Sequence, residues 1–232
     1  MPKASYLRKK TNMLKAVLFD MDGVIVDTEP LHCQAYYNMF AAVNISVTDD
    51  LYESFTGQST INICRQLCTL FKLTESPETL VQLKRDFFND LFFNDKSLDL
   101  IDGVLLLIKD YHKNGLTLVL ASSASMSTIN KIFERFDLNK YFIAKLSGAD
   151  LKASKPHPEI FIKAAKASGF YKKECMVIED STNGIAAANA AEIFCAGFRS
   201  PNSKNQVYDH ADLVVSSFKE ISFEKVLYLL NS

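Results

Sequence analysis

The sequence predicts an α/β protein: a doubly wound parallel sheet interrupted by an inserted all-helical segment. Three observations carry that expectation. Short unbroken apolar runs recur at residues 14–19, 116–121, 175–178, 193–196 and 213–215, as in parallel strands covered on both faces. Between the later runs lie amphipathic stretches with apolar positions three or four apart, so strand and helix alternate from residue 99 onward. Residues 32–95 break the alternation with three helical patterns and no strand.

In chain order, the run 14–19 ends in Asp20-Met21-Asp22-Gly23, and helices are expected over 32–43, 59–73 and 77–93. In the third, Leu80, Leu83, Phe87 and Leu91 fall on one face, and Pro77 with Glu78 makes a first turn. Further helices follow over 103–114, 126–136, 158–168, 183–191 and 218–230, each beside an apolar run. These elements make a Rossmann-like core of residues 1–30 and 97–232 and a helical cap of residues 31–96. The two connections to the cap lie close together and can act as a hinge pair. No internal repeat or low-complexity segment occurs, and the turn-rich residues 200–205 read as a surface loop.

With 232 residues, 48% apolar and 23% charged, the chain can bury a sizeable core in one large or two smaller domains. Its 26 basic and 27 acidic residues leave a net charge of −1. No polybasic stripe offers itself to nucleic acid or an anionic membrane, so a small molecule is the expected partner. Lys3, Arg8, Lys9 and Lys10 precede an apolar run, but that run is far too short for a signal peptide. No stretch approaches the ~18 apolar residues of a membrane span. A soluble, cytoplasmic protein, monomeric or weakly homo-oligomeric, is expected. The five cysteines contain no Cys-x-x-Cys pair and the four histidines are scattered, so reduced structural thiols are expected, with Cys33 beside His32 the one to note.

Four sites fall at or just beyond the C-terminal ends of expected strands, where open α/β sheets bind ligands. In Asp20-Met21-Asp22-Gly23, extended backbone puts both carboxylates on one side and Gly23 permits a tight turn. Like charges so close call for a cation between them or a proton on one, although the motif alone also fits a polar turn. Ser122, followed by Ser123, offers a hydroxyl and backbone N–H groups to a phosphate oxygen; alone it is an ordinary strand-end serine. Lys155 lies in Ser154-Lys155-Pro156-His157-Pro158-Glu159, where the prolines hold it in place. A fixed ammonium there can neutralise an acidic nucleophile and a transferring phosphoryl group; alone it reads as a solvated surface lysine. Glu179-Asp180 ends a buried strand, and Mg2+, which takes oxygen ligands, gives these acids a purpose, with Asp20 and Asp180 the expected ligands.

Together and in this order, Asp20-Met21-Asp22-Gly23-Val24-Ile25-Val26-Asp27-Thr28, Ser122, Ser154-Lys155-Pro156 and Glu179-Asp180-Ser181-x-Asn183-Gly184-Ile185 resemble the haloacid dehalogenase-like superfamily. The resemblance is closest to its β-phosphoglucomutase-like phosphatases and phosphomutases with a small helical cap. It implies that Asp20 attacks phosphorus to form an aspartyl-phosphate, and that Asp22 protonates the leaving oxygen and later activates water. It also implies Mg2+ binding by the main-chain carbonyl of Asp22, phosphoryl binding by Ser122 and charge balance by Lys155. Asp180 would complete the metal site, with Glu179 ligating the ion or orienting its water. Thr28 matches the cap hinge. His32 matches a position facing the general acid, where it would restrain Asp22 or merely cap a helix. Ser123 and Asn183, within or beside the motifs, are expected substrate contacts, as is His32.

The chain departs from that pattern in the cap. Thr60 stands where the group's mutase has a phosphate-gripping arginine, and Asp86 stands in place of a cap lysine, with Lys84 and Arg85 as nearby cations. A mutase must hold a second phosphate, so a cation-poor cap favours simple hydrolysis. Glu192 replaces the usual helix-ending glycine, which bears on local turn geometry alone. The expectation is a magnesium-dependent phosphatase acting on a small phosphorylated metabolite, a sugar or nucleotide phosphate. A sugar-phosphate mutase is the second reading, and a non-catalytic binding protein on the same fold is a third that the complete motifs disfavour. Dehalogenation of 2-haloacids would leave Glu179 and Asp180 without a task.

Overall fold

Among the described residues the strands are β1 (Ala16–Phe19), β2 (Thr117–Ser122), β3 (Phe142–Ser147), β4 (Cys175–Glu179), β5 (Phe194–Phe198) and β6 (Leu213–Val215). In the computed structural model, which describes residues 14–55, 58–96, 98–201 and 205–231, they form one sheet ordered β3-β2-β1-β4-β5-β6. Every pair is parallel. The basic run 1–12, Gly57 and residues 202–204 of the expected loop lie outside the described residues.

Both faces of the sheet are covered, which explains the unbroken apolar runs. In β1, Val17 and Phe19 join one apolar cluster while Ala16 and Leu18 join the other. The first cluster takes Val104, Leu107 and Ile108 from α5 (Val104–Lys113), and Ile129, Ile132 and Phe133 from α6 (Met126–Arg135). The second takes Ile160, Phe161 and Ala164 from α7 (Glu159–Ser168), and Ile185, Ala187 and Ala188 from α8 (Thr182–Ala190). The chain builds outward from β1 through β2 to β3, then returns to place β4 on the other side of β1. The switch in direction therefore falls between β1 and β4, where open sheets leave a crevice for ligands.

β3 is a strand the apolar runs do not announce. It lies at the sheet edge, only Phe142 and Ser147 are buried, and Lys145 reaches Asn130 and Asn139 at 2.8 Å. Half-solvated edge strands need no continuous apolar run.

Between β1 and α5 stand α1 (Glu29–Ala42), α2 (Asp49–Glu53), α3 (Thr60–Phe71) and α4 (Pro77–Asn94). The short α2, capped by the Thr48 side chain, has no counterpart in the sequence expectation. Tyr36, Met39, Phe40, Phe55, Leu67 and Leu80 form an apolar centre within this insertion, while Leu31, Ala35, Phe88 and Phe92 join the cluster of the sheet below. Of the face expected on α4, Leu80 is buried but Leu83, Phe87 and Leu91 are only half-buried. The deepest stripe is Leu80, Lys84, Phe88 and Phe92, every fourth residue. A hydrophobicity reading passes over Lys84, whose ammonium is buried by its contacts. The two connections touch at the base, where Val26 bridges Leu100 and Ile101 N donates to Ile25 O at 2.9 Å.

The final helix, α9 (Phe223–Asn231), follows a short turn of 3-10 helix over Phe218–Ile221 instead of running continuously from 218. Glu192 adopts the left-handed conformation at φ 59°, the geometry that helix ends usually give to glycine. All five cysteines are free thiols. Among the described residues, no helix is long and apolar enough to cross a membrane.

Candidate active site

The C-terminal ends of β1, β2 and β4 bring together residues far apart in sequence. Asp20 follows β1, and its backbone N–H donates to Ile178 O on β4 at 3.0 Å. Its side chain is almost wholly buried. Lys155 approaches from the loop before α7 and donates through Nζ to Asp20 Oδ1 at 2.5 Å, Glu179 Oε1 at 2.8 Å and Ala121 O at 3.1 Å. Its side chain is 7% exposed, so the expected fixed ammonium is a buried bridge between two carboxylates. Burial works against the Lys155 charge, but Asp20 and Glu179 outweigh it and hold its pKa above the usual lysine range.

Asp20 shows the opposite balance. Burial, helped by the nearby Glu179 and Asp22 charges, overcomes Lys155 and pushes the Asp20 carboxyl up to about 7. Asp22 is half-buried and accepts a short hydrogen bond from the buried Thr28 hydroxyl at the start of α1. Burial raises its pKa, while Thr28 and the charges of Lys155 and Lys84 pull the other way.

Gly23, at φ 80°, turns the chain directly over Asp180. An added Cβ at Gly23 would lie 2.0 Å from Asp180 Oδ2, so only glycine lets the loop and the carboxylate approach this closely. Glu179 is 1% exposed, and its Oε2 accepts from Ser181 N at 2.8 Å and Ser181 Oγ at 2.9 Å. The Ser122 side chain is fully buried, its oxygen accepting from Ala124 N at 3.0 Å. Ser123 beside it is exposed, and Asn183 is the second residue of α8, half-buried.

Among the described residues, no three His, Cys, Asp or Glu side chains form a ready-made metal cage. Mg2+ requires none, since it binds through one or two carboxylates and completes its shell with substrate oxygen and water. Asp180 lies against Gly23 of the turn that follows Asp20, and Lys155 bridges two of the four carboxylates, Asp20 and Glu179. A divalent cation fits both the donor set and the charge.

On α1, the His32 side chain pairs with Lys84 of α4 rather than with Asp22. Its Nδ1 lies 2.6 Å from Lys84 Nζ, and its ring stacks on Phe88 at 4.3 Å. The picture of a cation-poor cap is thereby corrected. Asp86 is exposed and accepts from Gln82, whereas Lys84, two residues earlier, turns inward and is 5% exposed. Residue 84 lies on the α4 stripe that faces α1, and residue 86 is rotated about 200° away. The every-fourth-residue stripe through Leu80 and Phe88 was the signal that could have found Lys84.

A model of haloacid dehalogenase-like hydrolases matches residues 17–198. Hexitol phosphatase B of Escherichia coli (strain K12) is 27% identical over 213 residues, spanning 91% of this chain and 96% of that protein. Beta-phosphoglucomutase of Bacillus subtilis (strain 168) is 30% identical over 217 residues, spanning 91% and 93% of the two chains. The crystal structure of a beta-phosphoglucomutase from Clostridium difficile superposes with a TM-score of 0.79 at 28% identity, covering 94% of this chain and 98% of the other.

Proposed function

Because the chain belongs to the haloacid dehalogenase-like hydrolase family, we propose that it is a magnesium-dependent phosphatase hydrolysing a small phosphomonoester, a sugar or nucleotide phosphate, through an aspartyl-phosphate on Asp20. That it is a phosphatase or phosphomutase of this family rests on its relatives. The observation that carries the finer reading is the Lys155 bridge between Asp20 and Glu179 beside a Thr28-held Asp22. In this reading residues 1–30 and 97–232 are the catalytic core and residues 31–96 a cap that closes over it, with Thr28 at the hinge.

Lys155 holds Asp20 Oδ1, and the other carboxylate oxygen attacks phosphorus as the bond from phosphorus to the leaving oxygen breaks. Asp22, whose burial favours the protonated form, gives its proton to that oxygen. As a carboxylate, Asp22 then takes a proton from water, whose oxygen attacks phosphorus and releases Asp20 with inorganic phosphate. Ser122 and the N–H groups after it receive the phosphoryl oxygens, with Ser123 and Asn183 as substrate contacts. Magnesium, bound by Asp20, Asp180 and the main-chain carbonyl of Asp22 with Glu179 as ligand or water-orienting neighbour, would supply positive charge to the transferring group.

A mutase is the second reading, and the buried Lys84 favours it, because an inward cap cation can face a second phosphate. Phosphate release measured over sugar phosphates, nucleotides and small phosphorylated acids, with and without Mg2+, separates the two. Magnesium-dependent release on one class, abolished in Asp20→Asn, is expected. No release anywhere, with turnover of a sugar 1-phosphate given bisphosphate activator, would replace the phosphatase with the mutase.

A further inference from the structure

The Glu179 carboxylate rests on the first turn of α8. Oε2 takes two hydrogen bonds from Ser181, whose Oγ also accepts from Gly184 N at 3.1 Å, and Oε1 takes Lys155. An anion is favoured at a helix N-terminus, but here it lies in space that a side chain would normally fill. A Cβ on Gly184 would stand 1.7 Å from Glu179 Oε1, 1.8 Å from Cδ and 2.3 Å from Oε2.

Nothing in the backbone asks for glycine at this position. Gly184 is the third residue of α8 and is absent from the positive-φ glycines, Gly23, Gly103, Gly115 and Gly169. Inside a helix, glycine costs about 1 kcal/mol relative to alanine. The occupied space accounts for that cost.

We propose that Gly184 is a positioning residue whose missing side chain seats the Glu179 carboxylate, and through it holds Lys155 on Asp20. The links are Glu179 Oε1 to Lys155 Nζ at 2.8 Å and Lys155 Nζ to Asp20 Oδ1 at 2.5 Å. A methyl group at residue 184 has little room to yield, because it is carried on a helical turn tied down by Ser181. Glu179 has to move instead, and Lys155 loses one of its two carboxylate anchors. The same device recurs at Gly23, where Asp180 fills the missing Cβ. Its positive φ confounds a test there, so Gly184 is the clean position.

The test compares Gly184→Ala, Glu179→Asp and the double variant with the parent chain. Thermal unfolding midpoints are measured in metal-free protein, and kcat/KM on para-nitrophenyl phosphate with Mg2+. At an ordinary helical site Gly→Ala raises the midpoint; here it should fall, and kcat/KM should drop by about 10- to 100-fold, as when an outer partner of a site is lost. Shortening residue 179 makes room for the methyl group. The double variant should therefore lose less than the two single losses combined, in both midpoint and rate. An unchanged or raised midpoint with kcat/KM within about twofold of the parent, or losses that simply add, would overturn the assignment. If Gly184→Ala alone does not fold, a folded double variant supports the proposal and an unfolded one overturns it. Only the kinetic arm rests on the phosphatase reading. If the parent releases no phosphate, that reading fails while the midpoints still decide the role of Gly184.

Discussion

Lys84 Nζ and His32 Nδ1 stand 2.6 Å apart inside the cap, tying α4 to α1. The ammonium also lies over the Tyr36 and Phe88 rings, at 4.9 and 5.2 Å from their centroids. Burial, together with the adjacent ammonium, drives the His32 pKa well below its ordinary value, so the ring is neutral and can accept through Nδ1. Burial also lowers Lys84 to about 8, with the charges of Asp22 and Glu29 resisting. A charge buried against a neutral partner is costly.

That cost has a pH signature. The lysine pKa is depressed on folding, so between about pH 8 and its unfolded value of 10.5 the unfolded chain binds more protons, and stability rises with pH. Lys84→Met removes this contribution. The variant should be the more stable form at pH 7, and its advantage should shrink by roughly 3 kcal/mol between pH 8 and 10.5. Urea unfolding of both proteins across that window measures the difference. A constant difference would mean that Lys84 is not a buried, depressed lysine.

Lys155→Met leaves Asp20 and Glu179 buried without their shared ammonium. Breaking a buried pair in this way costs about 3–5 kcal/mol. The loss should grow with pH, because a stranded Asp20 with its pKa raised by burial binds more protons in the folded state than in the unfolded one. Added Mg2+ should restore part of the midpoint, which thermal melts with and without the ion would record.

Thr28→Val deletes the hydroxyl that donates to Asp22 while keeping the side chain's shape. A hydrogen bond to a carboxylate favours its charged form, so its removal raises the Asp22 pKa further. The alkaline limb of the kcat/KM profile, which reports the acid form needed for leaving-group protonation, should move to higher pH. An unmoved limb would take the general-acid role away from Asp22.

Arg135 joins α6 to the second connection, donating to Phe92 O at 3.2 Å, Asp95 O at 2.7 Å and Leu98 O at 2.9 Å. Three carbonyls on one guanidinium anchor the C-terminal end of α4. Arg135→Ala should cost about 1–2 kcal/mol, given the exposure of the side chain. It should also speed amide exchange around residues 95–101, which mass spectrometry can follow.

The sequence by itself determined five of the six strands, because strands covered on both faces are written as unbroken apolar runs. It also placed Asp20, Ser122 and Glu179-Asp180 at strand ends, where each run meets polar residues. Most helix positions followed from apolar spacing, with shifts of a few residues at the ends; the short α2 and the 3-10 turn before α9 did not. Tertiary structure alone decided that β3 pairs at the sheet edge and that Lys84, not Asp86, turns into the cap. It also decided that Lys155 bridges Asp20 and Glu179, residues 135 and 24 positions away along the chain. Periodicity reports which face of an element avoids water. A polar group in a mostly buried stripe, a half-solvated strand, or a carboxylate occupying the space of an absent Cβ gives no periodic signal. Those features depend on distances that exist only once the sheet has set its register and the helices have packed across it.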